Sequence, residues 1–448
     1  MLIYSQTKGR FTMDKKLRRK VLSASLIGSS IEWFDFFLYA AVASIIFNTQ
    51  FFVTDDAFLS TILAYFGLAL SFFIRPLGGV IFAHIGDRIG RKKTLIITLS
   101  LMGFATAGIG LLPTYAQIGI AAPLLLLLFR LIQGLGIGGE WGGALLLATE
   151  YAPKKQRGLF GSFPQMGIPI GLVLAYGFFF LLTWAMPEEM FLAWGWRIPF
   201  IFSLLLVVVG LLIRKGLDET PAFVQMQKEA AEKNEVRRLP IVEIFKKHPK
   251  EVLITTGAKF VETGPFYIFT TFIVGYGVSS LDVSFEFMML SIMAVSVLTT
   301  IMIPVMGSLS DRVGRRKMFL IGATAMLIYA FPYFFIVNTH EPMLVILATF
   351  IGLVVIWPPI TAILGTMFSE SFSKEVRYTG VTLGYQIGAA VAGGSAPLIA
   401  EFLMNQFNGS SIPVSLYIVM TAIVSLIAVF AMRGESAQDK EDRLMNAE

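Results

Sequence analysis

Cysteine is absent from this chain of 448 residues, which excludes disulfides and thiolate metal sites. Histidine is scarce, and His84, His248 and His340 lie far apart without the spacing of a metal-ligand set. No arrangement of serine, histidine and aspartate falls at one site that would support nucleophilic catalysis. We therefore expect neither a metal centre nor an enzyme.

Charged residues are also few, at 15% of the chain against 55% hydrophobic residues. Neither a soluble globular protein nor a disordered one has this balance. Apolar windows of about 20 residues, the length that crosses a bilayer as a helix, recur along the chain. They predict an all-α polytopic membrane protein with twelve transmembrane helices, at 21–47, 57–83, 94–112, 120–149, 158–184, 196–215, 251–275, 286–309, 318–337, 342–368, 377–404 and 412–432.

Lysine and arginine are confined to alternate loops, such as "DRIGRKK", "PKKQR", "DRVGRRK" and "SKEVR". Short loops rich in these residues stay in the cytoplasm, so both termini are predicted to be cytoplasmic. The first twenty residues are basic and show no cleavable signal peptide. The predicted organisation is a cytoplasmic tail at 1–20, a six-helix half at 21–215, a cytoplasmic linker with a surface helix at 216–250, a second six-helix half at 251–432 and a cytoplasmic tail at 433–448.

The two halves repeat one another. "DRIGRKK" begins at Asp87 and "DRVGRRK" begins at Asp311, 224 residues later. Glu150 and Glu370 each stand seven residues before an arginine, and "PQMG" in the first half corresponds to "YQIG" in the second. Three matches in the same order indicate duplication of a six-helix unit. Such halves enclose a central site in transporters that alternate access.

The repeated loops resemble the cytoplasmic loop motif G-x-x-x-D-R-x-G-R-(K/R)-(K/R) of the major facilitator superfamily. The second copy matches fully, whereas the first has Ala83 in place of the leading glycine. "RLIQGLGIGGEWGG", "EWFDFFLY", "FFIRPLGG", "WGWRIPF" and "DETPAF" are similar to motifs of its metabolite:H+ symporter family. The overall impression is closest to shikimate-type carriers. The resemblance implies a multi-pass protein of the bacterial plasma membrane.

The resemblance also implies a latch on the cytoplasmic side, formed by two ion-pair networks. The alternative is that these charges only set topology, since an exposed ion pair contributes about 0–1 kcal/mol. The network residues are Asp87, Arg88, Arg91, Glu150 and Arg157 in the first half and Asp311, Arg312, Arg315, Glu370 and Arg377 in the second.

Proton coupling is predicted from acids inside the spans. Glu32 and Asp35 are three residues apart and share a helix face. Two carboxylates close together in a low dielectric do not both ionise easily, so one is expected to bind a proton. Glu140 is a third intramembrane acid. The alternative is that these acids are permanently paired with Arg75, Arg130 or Lys259.

Substrate binding is predicted first at Arg130 and second at Arg75, because a guanidinium matches a carboxylate bidentately. The alternative for both is a fixed internal ion pair. Lys259 and Glu262 lie beside the helix-weakening Gly264-Pro265, although Lys259 could instead snorkel to the interface. Further candidates, which could equally be packing residues, are Gln133, Tyr39, Trp33, Tyr267, Tyr385 and Gln386.

Together these observations predict a secondary transporter that takes up a small organic acid, shikimate-like or a mono- or dicarboxylate, with protons. The alternatives are a proton-coupled symporter of proline or glycine betaine and a transport-inactive membrane sensor. We expect a monomer in the lipid bilayer that uses the proton gradient as its energy source. We expect no cofactor and no nucleic-acid partner.

Overall fold

The computed structural model describes residues 15–89, 91–150, 152–215, 240–373 and 376–432. Within these ranges all regular secondary structure is helical. Among the described residues, ten helices are long and apolar enough to cross a membrane, or eleven when the bent pair Glu188–Gly195 and Arg197–Leu212 is taken as one span. The all-helical polytopic fold is confirmed, whereas the count of twelve crossings stays a prediction.

Helical segments occupy each of the twelve predicted spans, which we number first to twelfth. In the N-terminal half these helices are Lys15–Val42, Ala57–Ile89, Arg91–Leu111, Ala121–Gly138 with Trp141–Glu150, Arg157–Ala185 and Arg197–Lys215. In the C-terminal half they are Pro249–Tyr267 with Ile273–Ser280, Phe285–Val313, Arg315–Val337, Pro342–Phe350 with Pro358–Ser371, Arg377–Ala389 with Ala396–Gln406, and Ile412–Ala431. A short helix, Pro240–Lys247, precedes the second half. The surface helix predicted at "QKEAAEKNEVRR" lies outside the described residues.

Several spans are interrupted by π-helical turns. The first and seventh spans contain such turns at Ala43–Phe47 and Ile268–Phe272, which are corresponding places in the two halves. In the seventh span Pro265 lies just before the turn and has no backbone N–H to donate. Irregular helices at corresponding places of two repeats are typical of transporter binding sites. The predicted weak point at Gly264-Pro265 therefore coincides with a real change in helix winding.

Glycines allow the second and fourth spans to approach closely. A Cβ atom at Gly134 would collide with the carbonyl oxygen of Ser71, and one at Gly138 would collide with that of Arg75. Small residues are the usual means of close helix contact in lipid. The glycine-rich run of the fourth span therefore fixes the backbone that carries Arg75.

The two halves meet along two lines of contact. The fifth span packs on the eighth, where a Cβ atom at Gly158 would lie 2.5 Å from the Gly307 carbonyl oxygen. The second span packs on the eleventh, where a Cβ atom at Gly79 would lie 2.8 Å from Thr382 Cγ2.

Candidate functional site

All seven charged residues predicted within the spans are buried. Their exposed fractions do not exceed 3%, and the seven are Glu32, Asp35, Arg75, Arg130, Glu140, Lys259 and Glu262. A buried charge is costly unless it is paired or hydrogen-bonded, so the partners of each side chain indicate its role. Lys259 is 2% exposed and does not snorkel to the interface.

Asp35 contacts a hydroxyl rather than a cation. Its Oδ2 lies 3.0 Å from Thr106 Oγ1, while Oδ1 has no hydrogen-bond partner among the described residues. Thr106 Oγ1 also lies 3.0 Å from the Met102 carbonyl oxygen and accepts from Gln133 Nε2 at 2.9 Å. A permanent ion pair at Asp35 is therefore not found within the described part of the chain. Glu140 lies within electrostatic range of this carboxyl group.

Arg130 is held within the N-terminal half. Its Nε donates to the Gly67 carbonyl oxygen at 3.1 Å, and an Nη1 hydrogen bond goes to Gln133 Oε1. The guanidinium carbon lies 4.0 Å from the centre of the Tyr39 ring, and the Tyr39 hydroxyl donates to Ala64 O. These contacts join Arg130, Gln133 and Tyr39, all predicted substrate ligands, into one internal network.

Arg75 has a different environment at the boundary between the halves. Its guanidinium carbon lies 3.7 Å from the ring centre of Phe72 and 5.1 Å from that of Phe36. Its Nε and Nη2 have no hydrogen-bond partner among the residues that the structure describes. Glu32 and Tyr267 lie within electrostatic range. Nε and Nη2 of Arg75 are therefore available for an anion, whereas each nitrogen of Arg130 already has an acceptor in its own half.

Lys259 and Glu262 form an ion pair in the seventh span. Thr361 Oγ1 donates to Glu262 Oε1 at 3.0 Å, and Trp357 Nε1 donates to the Glu262 carbonyl oxygen at 2.6 Å. The Lys259 ammonium lies 3.7 Å from the centre of the Tyr385 ring. Because both charges are compensated, this pair adds little net charge to the centre.

A chain of contacts joins the two halves at this level, and we call it the central bridge. Tyr385 stacks on Trp141 with ring centres 3.4 Å apart, and Trp141 Nε1 donates to Gln165 Oε1 at 3.1 Å. Gln165 Nε2 then donates to Thr361 Oγ1 at 3.2 Å. Trp141 and Gln165 belong to the N-terminal half, so the bridge closes a ring through the Lys259–Glu262 pair.

Several buried polar atoms near the centre have no hydrogen-bond partner within the described ranges. Besides the Arg75 nitrogens they are Trp33 Nε1, Tyr267 Oη, Tyr385 Oη and both amide atoms of Gln386. Buried polar groups in proteins are nearly always hydrogen-bonded. Their concentration here indicates that this region binds a polar ligand or water.

The outer side of the centre is closed by aromatic side chains. Phe36 meets Tyr267 with ring centres 5.6 Å apart, and Phe37 meets Phe266 at 6.1 Å. The Tyr176 hydroxyl also reaches across to the Thr270 carbonyl oxygen at 3.3 Å. A solute can reach the centre from this side only when these contacts separate.

A polar network joins the halves on the side that the sequence predicts to be cytoplasmic. Asp311 accepts hydrogen bonds from the backbone N–H groups of Gly158 at 2.8 Å and Leu159 at 3.1 Å. Both amides lie in the first turn of the helix of the fifth span, where backbone N–H groups lack intrahelical acceptors. The Asp311 carboxylate therefore faces the positive end of the helix dipole. Arg315 contacts both Asp311 Oδ1 and Glu370 Oε1 at 3.3 Å. The eighth span is thereby tied to the start of the fifth.

Other predicted members of this network have different positions. The Arg157 carbonyl oxygen accepts from Thr366 Oγ1 at 3.2 Å, and Arg377 Nε donates to the Phe372 carbonyl oxygen at 3.2 Å. Arg312 is exposed and takes no part in these contacts, because it points about 100° away from its neighbour Asp311 on the helix. The side chains of Asp87, Arg88, Arg91 and Glu150 lie outside the described residues.

Replacing Asp311 with asparagine should weaken this closure, because Asp311→Asn removes the charge that faces the helix N-terminus and Arg315. The loss should be about 1–2 kcal/mol, or roughly a 5- to 30-fold change in the closed population. Spin labels at Lys155→Cys and Lys317→Cys, in this cysteine-free chain, would report it as a longer cytoplasmic distance. Asp282→Asn, at an exposed aspartate, is the control. An unchanged distance distribution would refute the latch role.

Sequence reasoning did not assign Trp141, Thr361 and Thr106 to the site. Trp141 lies in the quoted motif "GGEWGG", but a tryptophan in a membrane span is more often a packing residue. The sequence does point to Gln165, because a glutamine recurs at the corresponding position of the second half, Gln386. Thr106 and Thr361 had none, because isolated threonines in apolar spans are common and bond their own helix.

Two repeated helical halves, a buried charged centre and closures on both sides define a membrane carrier. Family models match both halves: "Sugar (and other) transporter" over residues 20–245 and "Major Facilitator Superfamily" over residues 258–446. The proton:xylose symporter XylE has the same fold, with a TM-score of 0.76 at 16% identity over 96% of this chain and 99% of its own.

Curated relatives cover nearly the whole chain. The inner membrane metabolite transport protein YhjE of Escherichia coli K12 is 41% identical, over 92% of this chain and 93% of its own. The shikimate transporter of the same organism is 35% identical over 94% and 96%, and the proline/betaine transporter of Salmonella typhimurium is 36% identical over 94% and 84%. The chain belongs to the major facilitator superfamily, in its metabolite:H+ symporter family. It is a multi-pass membrane transporter and not an enzyme.

Proposed function

We propose that this transporter takes up a small organic anion together with protons. The observation that carries the proposal is Arg75, a buried cation at the boundary of the halves whose Nε and Nη2 have no partner among the described residues. A guanidinium with two neighbouring donors unpaired recognises a carboxylate through two parallel hydrogen bonds. The relatives named as shikimate and proline/betaine transporters support this, because each of those solutes carries a carboxylate.

Asp35 is the proposed proton carrier. It is fully buried and has no cation partner in the described part of the chain, and the one hydrogen-bond contact of its carboxyl group there is a hydroxyl. An isolated carboxylate in such surroundings is far less favourable than the neutral acid. Asp35 therefore suits a cycle in which it is protonated while buried and releases the proton when the carrier opens to the cytoplasm.

Alternating access would proceed by opening one closure at a time. The aromatic contacts of Phe36 and Phe37 close the outer side, and Asp311 and Arg315 close the inner side. The described conformation has both closures in place, as an occluded carrier should. Opening toward the cytoplasm requires the two backbone hydrogen bonds to Asp311 to break.

Proton-coupled uptake of a zwitterionic osmolyte is a second candidate, and the aromatic side chains near Arg75 favour it. Trp33 lies 5.6 Å from Phe36 and 5.7 Å from Phe37 between ring centres. Aromatic faces attract quaternary ammonium groups. Glycine betaine could then place its carboxylate on Arg75 and its ammonium on these rings.

The test is uptake by purified protein in liposomes with an imposed pH gradient, acidic outside. Shikimate, a dicarboxylate, citrate and glycine betaine are compared, with a protonophore as the control. We expect an organic anion to accumulate and the protonophore to abolish its accumulation. Accumulation of betaine alone would favour the second candidate. Binding without any transport would favour the transport-inactive sensor.

A further inference from the structure

The packing of Thr382 and the helical period together place Gln386 opposite Arg75 across the boundary between the halves. Thr382 in the eleventh span meets Gly79 and Gly142 of the N-terminal half. Gln386 is one helical turn beyond Thr382 on the same face, and Arg75 is one turn before Gly79. The two spans run in opposite directions through the membrane. Moving from Thr382 to Gln386 and moving from Gly79 back to Arg75 therefore lead in the same direction, toward the outside, by about 6 Å each. The neighbouring Tyr385 lies within electrostatic range of Arg75, which agrees with this placement.

The amide of Gln386 has unmet hydrogen-bonding capacity. The side chain is 1% exposed, yet neither Nε2 nor Oε1 has a hydrogen-bond partner among the described residues. Its counterpart in the first half, Gln165, uses both ends of its amide in the central bridge. Burying an amide without hydrogen bonds is costly. Gln386 and Arg75 therefore face each other with donors and an acceptor available to a third group between them.

We propose that Gln386 determines specificity by binding a hydroxyl group of a substrate whose carboxylate is held by Arg75. The substrate class is then hydroxylated monocarboxylates, and this inference rests on the function proposed above. A hydroxyl both donates and accepts, so it satisfies Oε1 and Nε2 together. A trimethylammonium group does neither, and betaine would leave both amide atoms unpaired. The substrate is expected to carry one carboxylate, because the other two cations of the buried centre already have partners. Lys259 is paired with Glu262, and Arg130 is hydrogen-bonded within its own half.

The test compares shikimate with cyclohexene-1-carboxylate, which has the same ring and carboxylate but no hydroxyls. Binding is measured by calorimetry on purified protein without a pH gradient. The variants are Gln386→Leu and Gln386→Met, the second of which keeps the length of the side chain. Gln406→Leu, at an exposed glutamine, is the matched control.

The unmodified protein should bind shikimate about 10- to 100-fold more tightly than the deoxy analogue, since the analogue would leave the buried amide of Gln386 unpaired. Gln386→Leu and Gln386→Met should remove this preference by weakening shikimate binding alone. Equal affinities in the unmodified protein, or an equal loss for both ligands in the variants, would overturn the inference and leave carboxylate binding intact. Failure to bind either carboxylate would also overturn the inference, and failure of the dicarboxylate and citrate in the same assay would overturn the proposed function as well.

Discussion

Asp35→Asn should abolish accumulation driven by a pH gradient while exchange of substrate across the membrane continues. An asparagine amide resembles the protonated acid in shape and charge and cannot release a proton. A carrier fixed in this form can still reorient with substrate bound, which is all that exchange requires. It cannot return a proton to the cytoplasm, so the gradient no longer drives net uptake. The measurement is the ratio of gradient-driven uptake to counterflow in liposomes.

The hydrogen bonds around Thr106 explain why one proton at Asp35 should change the structure. Thr106 has a single hydroxyl hydrogen and lies 3.0 Å from both the Met102 carbonyl oxygen and Asp35 Oδ2. If Thr106 donates to Met102, Asp35 must be the donor in the other contact, and is therefore protonated. Loss of that proton turns the hydroxyl toward Asp35. Gln133 donates to this hydroxyl and Arg130 contacts Gln133, so the change reaches the first, third and fourth spans.

Asp55→Asn is the matched control, because Asp55 is an exposed acid in the loop after the first span. It should leave both gradient-driven uptake and counterflow unchanged. If Asp35→Asn still concentrates substrate to the normal level, Asp35 is not the coupling acid. Glu32 and Glu140 would then be the remaining acids on this side of the centre.

The fold could be predicted from the sequence because each property that defines it is local. Twenty apolar residues, a loop with two arginines and a duplicated motif are all visible without knowing any contact. The breaks at Ala43–Phe47 and Ile351–Ile356 were not predicted, because no proline lies within those turns and the winding there depends on neighbouring helices. The second helix continues to Ile89, six residues past its predicted end, because hydropathy marks only the apolar part of a helix.

The site was predicted in its composition and less well in its arrangement. An ionisable residue in an apolar span stands out in any sequence, so the seven charged residues of the buried centre could be predicted. Which donors remain available depends on the backbone of other spans. Arg130 was ranked above Arg75, yet carbonyl groups at Gly67 and Leu68 of the second span take up its hydrogens. The central bridge depends on which residues of other helices contact Gln165 in the folded protein, and a single sequence does not reveal these contacts.

Arg75→Gln should remove binding of the anionic substrate while the protein stays as stable as before. The variant loses a charged, bidentate contact, which typically contributes about 2–5 kcal/mol at a buried site, or roughly 30- to 4,000-fold in affinity. Because Arg75 has no ion-pair partner among the described residues, its replacement also removes the free-energy cost of desolvating a buried charge. Calorimetric binding and thermal unfolding of the same purified sample measure the two effects. Lys246→Gln, at an exposed lysine of the short helix Pro240–Lys247, is the charge-matched control.

Arg130→Gln should show the opposite combination, and the contrast makes the assignment decisive. Arg130 hydrogen-bonds the Gly67 and Leu68 carbonyl oxygens and Gln133, so its loss leaves buried acceptors unpaired. Each such acceptor costs about 1–3 kcal/mol, and the unfolding temperature should fall clearly. Substrate affinity in the fraction that remains folded should change far less than in Arg75→Gln. If Arg130→Gln instead abolishes binding at unchanged stability, and Arg75→Gln binds normally, the anion site belongs to Arg130 and the sequence ranking is right.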